Sequence, residues 1–370
     1  MVLSKDDRIN GINIGLMLLS CAAAFIMPFE VFLFAYAVMG PLHYLTEISW
    51  LHDRQYFTKG KHDHIVLWII GVLVLLQGLA IDNEWNFPFD SSFVNKIIFV
   101  ALTGSLLMIF VKNALIKIFG LVFILIIAQG LFKSDKNDAL ALLIGALIPT
   151  LIHVYVFTGF FMLYGALKSR SVSGLVSIVV FIVCPILLFY LFRDRTFVGI
   201  TEYGLNSYKG DGHGFFGTNV TFLKDIFGAE YPHLKDAQGN LLYFDGDPNQ
   251  PAFDREYAVF KSQAGILLMR FIAFAYTYHY LNWFSKTEVI RWHKVPKIRF
   301  AVVIVLWIAS LALYGYKYSV GLQWLYFLSF CHVLLEFPLN MVSITGIGKE
   351  AYSIYKNGFR RKPDMALAKK

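Results

Sequence analysis

Apolar runs long enough to cross a lipid bilayer recur along almost the whole chain. A helix needs about 20 mainly apolar residues to span roughly 30 Å of hydrocarbon. Ten runs approach this length, at about 11–27, 28–50, 65–81, 93–111, 114–132, 139–167, 172–192, 263–285, 298–316 and 320–346. Hydrophobic residues make up 57% of the chain and charged residues 16%, against about 45–50% and 25% in soluble domains. The sequence predicts an all-α, polytopic transmembrane helical bundle of about ten helices. Its predicted partners include the lipid bilayer that surrounds it.

Cysteine usage and net charge exclude several other classes of protein. The three cysteines, Cys21, Cys184 and Cys331, all lie inside apolar runs. This position is typical of small core residues and supports neither a disulfide framework nor a cysteine-based zinc site. The net charge of +8 is spread over loops and tail, where it reports topology. We predict no nucleic-acid partner, and the sequence leaves the oligomeric state open.

Lysine and arginine are concentrated in alternate loops. They are enriched in the N-terminal segment, in the loops after the second, fourth, sixth and eighth runs, and in the C-terminal tail, whereas the 82–92 loop has three acidic residues and no basic one. Short cytoplasmic loops carry the excess of basic residues in membrane proteins. The pattern predicts a multi-pass protein with both termini in the cytoplasm.

This topology divides the chain into four parts. We predict helices one to seven in 1–192, an extracytoplasmic loop or cap in 193–262, helices eight to ten in 263–346, and a basic cytoplasmic tail in 347–370. A loop of about seventy residues is usually functional or disordered, and its many aromatic residues favour an ordered cap. Asp245, Asp247 and Asn249 are spaced like the start of a calcium loop, but Gln250 stands where that loop needs glycine, so we interpret them as a turn. Asn219-Val220-Thr221 matches a glycosylation sequon by pattern only.

Two of the apolar runs carry a histidine and a glutamate four residues apart. His43 and Glu47 form one such pair, and His332 and Glu336 form the other. Residues four apart lie on the same face of a helix. Ionisable side chains inside a membrane are costly to bury, so they indicate a functional site by default.

Two further runs have a histidine near their centre. In the predicted topology all four histidine-bearing helices run from outside to inside, and at about 1.5 Å per residue the histidines lie roughly 18–24 Å below the outer helix ends. Imidazole is the commonest protein ligand for metals, and helical bundles build metal sites from inward-facing side chains. We therefore predict a metal site in one layer of the bundle, with four ligands: His43, His153, His279 and His332.

The carboxylates and the neighbouring residues have less certain roles by this argument. Glu47 and Glu336 would complete the metal shell or orient an imidazole by accepting its second N–H. A lone intramembrane histidine is often only a hydrogen-bond donor between helices. His153 is the weakest candidate, because its own helix has no carboxylate one turn away and Pro149 should bend that helix. Tyr44, like the tyrosines beside His279, receives only a lining role, since neighbours on a helix point in different directions.

The segment Gly40-Pro41-Leu42-His43-Tyr44-Leu45-Thr46-Glu47 resembles the Gly-x-x-His-x-x-x-acid element of the Brp/Blh family. That family consists of membrane-embedded, iron-dependent β-carotene dioxygenases whose histidines come from several helices. The resemblance implies single histidines on separate helices around an iron ion, with His43 among them. This chain is longer, has glutamate at the acidic position, and adds the 193–262 segment.

Together these features predict an integral membrane metalloenzyme. We expect a His-rich, non-haem oxidase or oxygenase, with iron as the metal and zinc as an alternative, acting on a hydrophobic, lipid-soluble small molecule. Glu47 and Glu336 are its candidate catalytic residues. The alternatives are a bis-His haem protein, a proton-coupled transporter with a His/Glu relay, and a non-catalytic scaffold with a ligand-binding cap.

Overall fold

The fold is described by a computed structural model that covers residues 5–82, 89–90, 92–133, 138–191, 199–210, 214–229, 231–243, 251–286, 291 and 294–359. These ranges are mostly helical, and their extended pairing consists of three isolated antiparallel bridges between residues 233 and 253. The predicted all-α class is confirmed.

Thirteen helices organise the described residues. The long ones are α1 (Lys5–Ile26), α2 (Pro28–Asp53), α3 (Asp63–Asp82), α4 (Phe93–Phe110), α5 (Ala114–Leu131), α6 (Ala139–Ser169), α7 (Val172–Tyr190), α11 (Gln263–Ser285), α12 (Lys297–Tyr316) and α13 (Tyr318–Asn357). Three short helices lie between α7 and α11: α8 (Glu202–Lys209), α9 (Phe216–Thr221) and α10 (Arg255–Phe260).

Nine of the described helices, α1 to α7, α12 and α13, are long and apolar enough to cross a membrane. The chain is therefore a multi-pass membrane protein. Helix α11, the tenth predicted span, has 23 residues and would be about 35 Å long, but it is less apolar than the other nine. Its buried residues include Arg270, His279 and Asn282. A helix of this polarity needs protein rather than lipid around it.

Helices α11 and α13 occupy the centre of the bundle. Helix α11 packs against α1, α2, α6, α7 and α10, while α13 packs against α2, α3, α4, α6 and α12. Only α2 and α6 appear in both sets, so the two central helices and these two bridging helices meet in one region. They are the four helices that carry the predicted ligands.

The two bridging helices are irregular near prolines. Helix α2 contains a π-helical turn at Ala35–Met39, directly before Gly40–Pro41. Helix α6 is π-helical over Leu143–Phe157, with Pro149 inside this stretch. Proline lacks an N–H and its ring clashes with the preceding turn, and π-bulges are one way in which a helix absorbs such a disturbance. The irregularity expected at Pro149 is thus a π-helical stretch that includes His153.

The last helix is longer than its apolar run. Helix α13 has 40 residues and ends at Asn357, so the boundary predicted at residue 347 lies inside it. Beyond the apolar run the helix continues with polar residues, and Glu350 accepts a hydrogen bond of 2.8 Å from Arg170 at the end of α6. Hydropathy alone predicts too early an end for this helix, because it detects only the apolar residues and the helix continues through polar ones.

The described residues between 199 and 261, which we call the cap, pack onto one end of the bundle. Tyr208, Phe222 and Leu223 are buried in the same apolar cluster as the α2 residues Phe29 and Phe32. The ring centroid of Phe29 is 5.3 Å from that of Tyr208. We call this end of the bundle the cap side; its assignment to the extracytoplasmic face stays a prediction.

The surroundings of several polar residues on this side of the bundle are defined. Glu30 Oε1 accepts a hydrogen bond of 2.8 Å from the Thr201 backbone at the start of α8, and the Arg270 guanidinium lies 4.4 Å from the Phe25 ring centroid. Asn219 of the sequon is buried, so in this fold its side chain is not presented for glycosylation. His213 and the calcium-like residues Asp245, Asp247 and Asn249 lie outside the described residues.

Candidate metal centre

The four predicted histidines converge in the interior of the bundle. Each comes from a different helix, and each is at most 7% exposed: His43 on α2, His153 on α6, His279 on α11 and His332 on α13. The contacts among the rings place the four imidazoles at one level of the bundle.

The imidazoles are arranged as two close pairs. His43 Nε2 lies 3.0 Å from His279 Nε2, and His153 Nε2 lies 3.1 Å from His332 Nε2. Between the pairs, ring centroids are 5.4 Å apart for His43 and His332 and 5.0 Å apart for His153 and His279. Either pair alone could be an N–H···N hydrogen bond between neutral rings. Two such pairs in contact place four nitrogens on one small region.

Both predicted glutamates join the cluster, but one of them contacts a different histidine from the one expected. Glu47 Oε2 is 3.1 Å from Nε2 of His43, its partner one turn earlier. Glu336 Oε2 is 3.3 Å from Nδ1 of His153 on α6, whereas the sequence had associated it with His332. His153 therefore has a carboxylate beside it after all, supplied by another helix. The sequence could not show this, because the pairing depends on how α6 packs against α13.

Two overlapping sets of three residues have the spacing of metal ligands. One consists of His43, His279 and His332, and the other of His153, His332 and Glu336; within each set the ligand atoms lie within 4.8 Å of one another. Both sets are fully buried, and His332 belongs to both. These groups could hold a metal ion.

The cluster contains polar atoms that the protein does not satisfy. Among the described residues, five buried atoms here have no hydrogen-bond partner: His43 Nδ1, Glu47 Oε2, His153 Nδ1, His332 Nδ1 and Glu336 Oε2. The two carboxylate oxygens lie near imidazole nitrogens without the alignment of a hydrogen bond. An unsatisfied buried polar group costs about 1–3 kcal/mol, and an uncompensated buried charge costs more. A divalent cation would take up lone pairs of these oxygens and balance two carboxylate charges, so the donor set fits a metal.

A threonine that sequence reasoning missed orients one of the imidazoles. The Thr158 hydroxyl on α6 is 2.8 Å from His279 Nδ1. If Nδ1 carries the proton and donates it to this hydroxyl, the lone pair of Nε2 is directed into the cluster. Metal-bound histidines generally have such a partner on their second nitrogen. No motif marks Thr158, which lies five residues after His153 on the same irregular helix.

Two tyrosines enclose the centre from the side. The Tyr44 ring stacks on His332 with centroids 4.1 Å apart, and its hydroxyl is 2.5 Å from the hydroxyl of Tyr280. The Tyr280 ring lies 5.2 Å from His43. Each tyrosine follows a histidine in sequence and points away from it to pack on a ring of another helix. The lining role predicted for Tyr44 agrees with these contacts.

The centre has very little free space. A cavity of about 10 Å³ lies against His153, His279 and His332, with Tyr44 and Tyr280 on its wall. This volume is close to that needed for a single water molecule. A porphyrin cannot be placed between these imidazoles without moving the helices, so the geometry does not fit the bis-His haem alternative.

The remaining described histidines lie apart from this cluster. His52 is exposed near the end of α2, His64 stacks on Tyr56 with centroids 4.6 Å apart, and His233 stacks on Phe253 in the cap. His52 and His64 flank the basic loop between α2 and α3, and His233 belongs to the cap, so these three histidines take no part in the cluster.

Comparison of the chain with protein-family models, curated proteins and solved structures gives no match.

Proposed function

We propose that this protein is a membrane-embedded, non-haem iron enzyme that oxidises a lipid-soluble substrate. The observation that carries the proposal is the burial of four imidazoles and two carboxylates in one cluster, with five of their nitrogen and oxygen atoms left unsatisfied among the described residues. Structural hydrogen bonding between helices would not require so many ionisable groups at one point.

The donor set favours iron over metals that prefer other ligands. Imidazole and carboxylate together suit iron and zinc, while the absence of a thiolate among the clustered residues disfavours a cysteine-type site. All three cysteines, Cys21, Cys184 and Cys331, are buried but belong to neither set of candidate ligands. The short Brp/Blh-like element around His43 adds support for iron. Zinc is the competing outcome, and it would make the reaction hydrolytic in character instead of oxidative.

The protein residues have separable roles in this proposal. Bound iron would supply one-electron redox chemistry and activation of dioxygen. The four histidines would hold it, and Thr158 would fix the orientation of His279. Glu47, beside His43, and Glu336, beside His153, would each complete the metal shell or accept a proton at its Oε2 atom. The apolar wall would exclude bulk water, which protects reactive oxidants from side reactions.

The test is metal analysis combined with a visible spectrum of protein purified in detergent and reconstituted with Fe²⁺ without oxygen. We expect bound iron without a Soret band, and loss of that iron in His43→Ala. His52→Ala is the matched control, because it removes an exposed histidine from the same helix. Iron retained by His43→Ala, or a Soret band, would contradict the proposal. A correctly folded protein that binds no metal would favour the His/Glu proton relay of a transporter.

A further inference from the structure

A second, larger cavity lies on the cap side of the metal centre. Its volume is about 210 Å³, and its wall is formed by α2, α4, α6, α11, α13 and the cap. It is smaller than the roughly 300–1,000 Å³ of typical small-molecule sites, which suits a slender chain or a single ring rather than a bulky ligand. Nothing in the metal centre itself requires this space.

The wall of this cavity is aromatic and uncharged. Eight of the described lining residues are Phe or Tyr, and none is charged: Phe32, Tyr36, Tyr208, Phe215, Phe222, Tyr276, Tyr326 and Phe330 are the aromatic ones. Four polar lining residues, Thr150, Thr218, Asn219 and Ser329, offer hydrogen-bonding groups without charge. Burying an ionised head group here would leave it without a counter-charge, which is strongly unfavourable.

The two cavities adjoin each other. Pro149, Tyr276 and Ser329 line both the large cavity and the water-sized cavity against the imidazoles. These three residues therefore form the junction between the large cavity and the space beside the imidazoles. Pro149 lies in the π-helical stretch of α6, so the helix irregularity forms part of the junction.

The large cavity also reaches the surface of the bundle. Its lining residue Tyr326 on α13 is 57% exposed, on the face of a membrane-crossing helix. A molecule dissolved in the bilayer could enter beside this ring. The other end of the cavity is roofed by Tyr208, Phe215 and Phe222 of the cap.

We infer that this cavity binds an uncharged, slender lipid and presents one of its carbon atoms to the metal centre through the Pro149–Tyr276–Ser329 junction, with the cap as its roof. This deepens the proposed function by naming the substrate class, and the reaction at that carbon rests on the proposed function. The binding of the lipid does not, because no lining residue of the large cavity is a candidate ligand.

Photocrosslinking can test the inference independently of the metal. The probe is a long-chain alcohol carrying a diazirine, and its matched partner is the corresponding sulfonate, which is charged at every working pH. We expect the alcohol to label peptides of α6 and α13 that line the cavity, and unlabelled alcohol to compete while the sulfonate does not. The same labelling is expected in metal-free His43→Ala, which separates failure of the lipid site from failure of the metal centre.

Ala146→Phe supplies the structural control, since it places a phenyl ring into the cavity from α6. We expect it to reduce specific labelling by about tenfold or more, because the ring occupies space that a slender ligand needs. Leu143→Phe, on the same helix but at an exposed position, should leave labelling unchanged. Equal labelling by alcohol and sulfonate, or labelling indifferent to Ala146→Phe, would overturn the inference.

Discussion

Several residues of the metal centre are placed by contacts with other helices. His153 on α6 illustrates this, because both of its partners, the Glu336 carboxylate and the His332 imidazole, belong to α13. It is 2% exposed, as enclosed as His43. On geometry it is an equal member of the cluster.

We therefore expect His153→Ala to lose bound iron as completely as His43→Ala does. A four-nitrogen set has no spare donor to replace the missing imidazole, and Glu336 would be left as an uncompensated buried carboxylate. Iron per chain, measured by mass spectrometry on protein that elutes as wild type in size exclusion, is the readout. A variant that keeps full iron would show that His153 only hydrogen-bonds His332.

The Thr158 hydroxyl gives a subtler prediction. Thr158→Val should weaken iron affinity by about 10–100-fold, the usual effect of removing a partner from a metal-bound histidine. Thr158→Ser keeps a hydroxyl and should stay close to wild type. Competition with a metal chelator measures the affinity. Equal affinity in the valine and wild-type proteins would mean that His279 is oriented by packing alone.

At this scale the sequence predicted the ionisable residues and missed their partners. A histidine or glutamate in an apolar run is conspicuous because burial is costly, so His43, Glu47, His279 and Glu336 could be singled out directly. Thr158 could not, because threonine is common in membrane helices and only its distance to His279 reveals a role. The Glu336–His153 contact was hidden for the same reason, since it depends on helix packing.

Helices α6 and α13 approach each other closely at a glycine. A Cβ atom added to Gly346 would lie 2.4 Å from the Tyr164 ring, whereas one added to Gly348 would meet open space. Helices α6 and α13 are thus in close contact at this point, and this contact helps to fix the positions of His153 on α6 and His332 on α13 relative to each other.

Gly346→Ala should therefore lower the thermal unfolding temperature in detergent relative to Gly348→Ala. Both variants gain the same intrinsic helix propensity, about 1 kcal/mol, while only the first forces Tyr164 to move, at a typical cost of about 1–3 kcal/mol for overpacking. The difference between the two variants isolates the clash. Equal unfolding temperatures would show that Tyr164 rotates away freely.

The cap is ordered where it touches the bundle and exposed where it does not. Residues 233–243 are largely exposed and form a turn. Asp236 accepts hydrogen bonds from the side chain and backbone of Asn240 and from the backbone of Gln238, which lower the pKa of Asp236. Tyr208, Phe222 and Ala258 are buried. Aromatic content predicted an ordered cap, but not which of its residues would reach the helices.

Limited trypsin digestion should first cut after Lys235, in the exposed turn, and only later after Lys209 or Lys224. Cleavage requires local unfolding, and the turn has few buried contacts to lose. The peptides can be timed by mass spectrometry. Simultaneous cutting throughout 199–261 would mean that the cap is not folded onto the bundle.

For the whole molecule, hydropathy predicted the bundle because each long helix except α11 must present apolar side chains to lipid. Helix α11 shows the limit of that reasoning, since it is enclosed by α1, α2 and α6 and can carry Arg270 and His279. Its apolar run at 263–285 predicted a span, but the helix is not among the nine described helices that are long and apolar enough to cross a membrane. The side of the membrane on which the cap lies is a prediction from loop charges alone.

Reporter fusions test the orientation directly. A reporter after Gly210 should be extracytoplasmic and one after Lys370 cytoplasmic, because basic residues are concentrated in the loops opposite the cap. If both reporters lay on one side of the membrane, that result would contradict the predicted ten-helix topology and the common direction of the four ligand-bearing helices.

We propose that imidazoles from four helices, together with two carboxylates, hold one metal centre in the bundle interior. X-ray absorption at the iron edge of the purified, reconstituted protein measures this most directly. We predict a first shell of nitrogen and oxygen atoms with the outer-shell scattering of several imidazoles, and loss of that signal in His332→Ala, since His332 belongs to both candidate sets. Sulfur in the first shell, porphyrin scattering, or an imidazole signal that persists in His332→Ala would contradict the account.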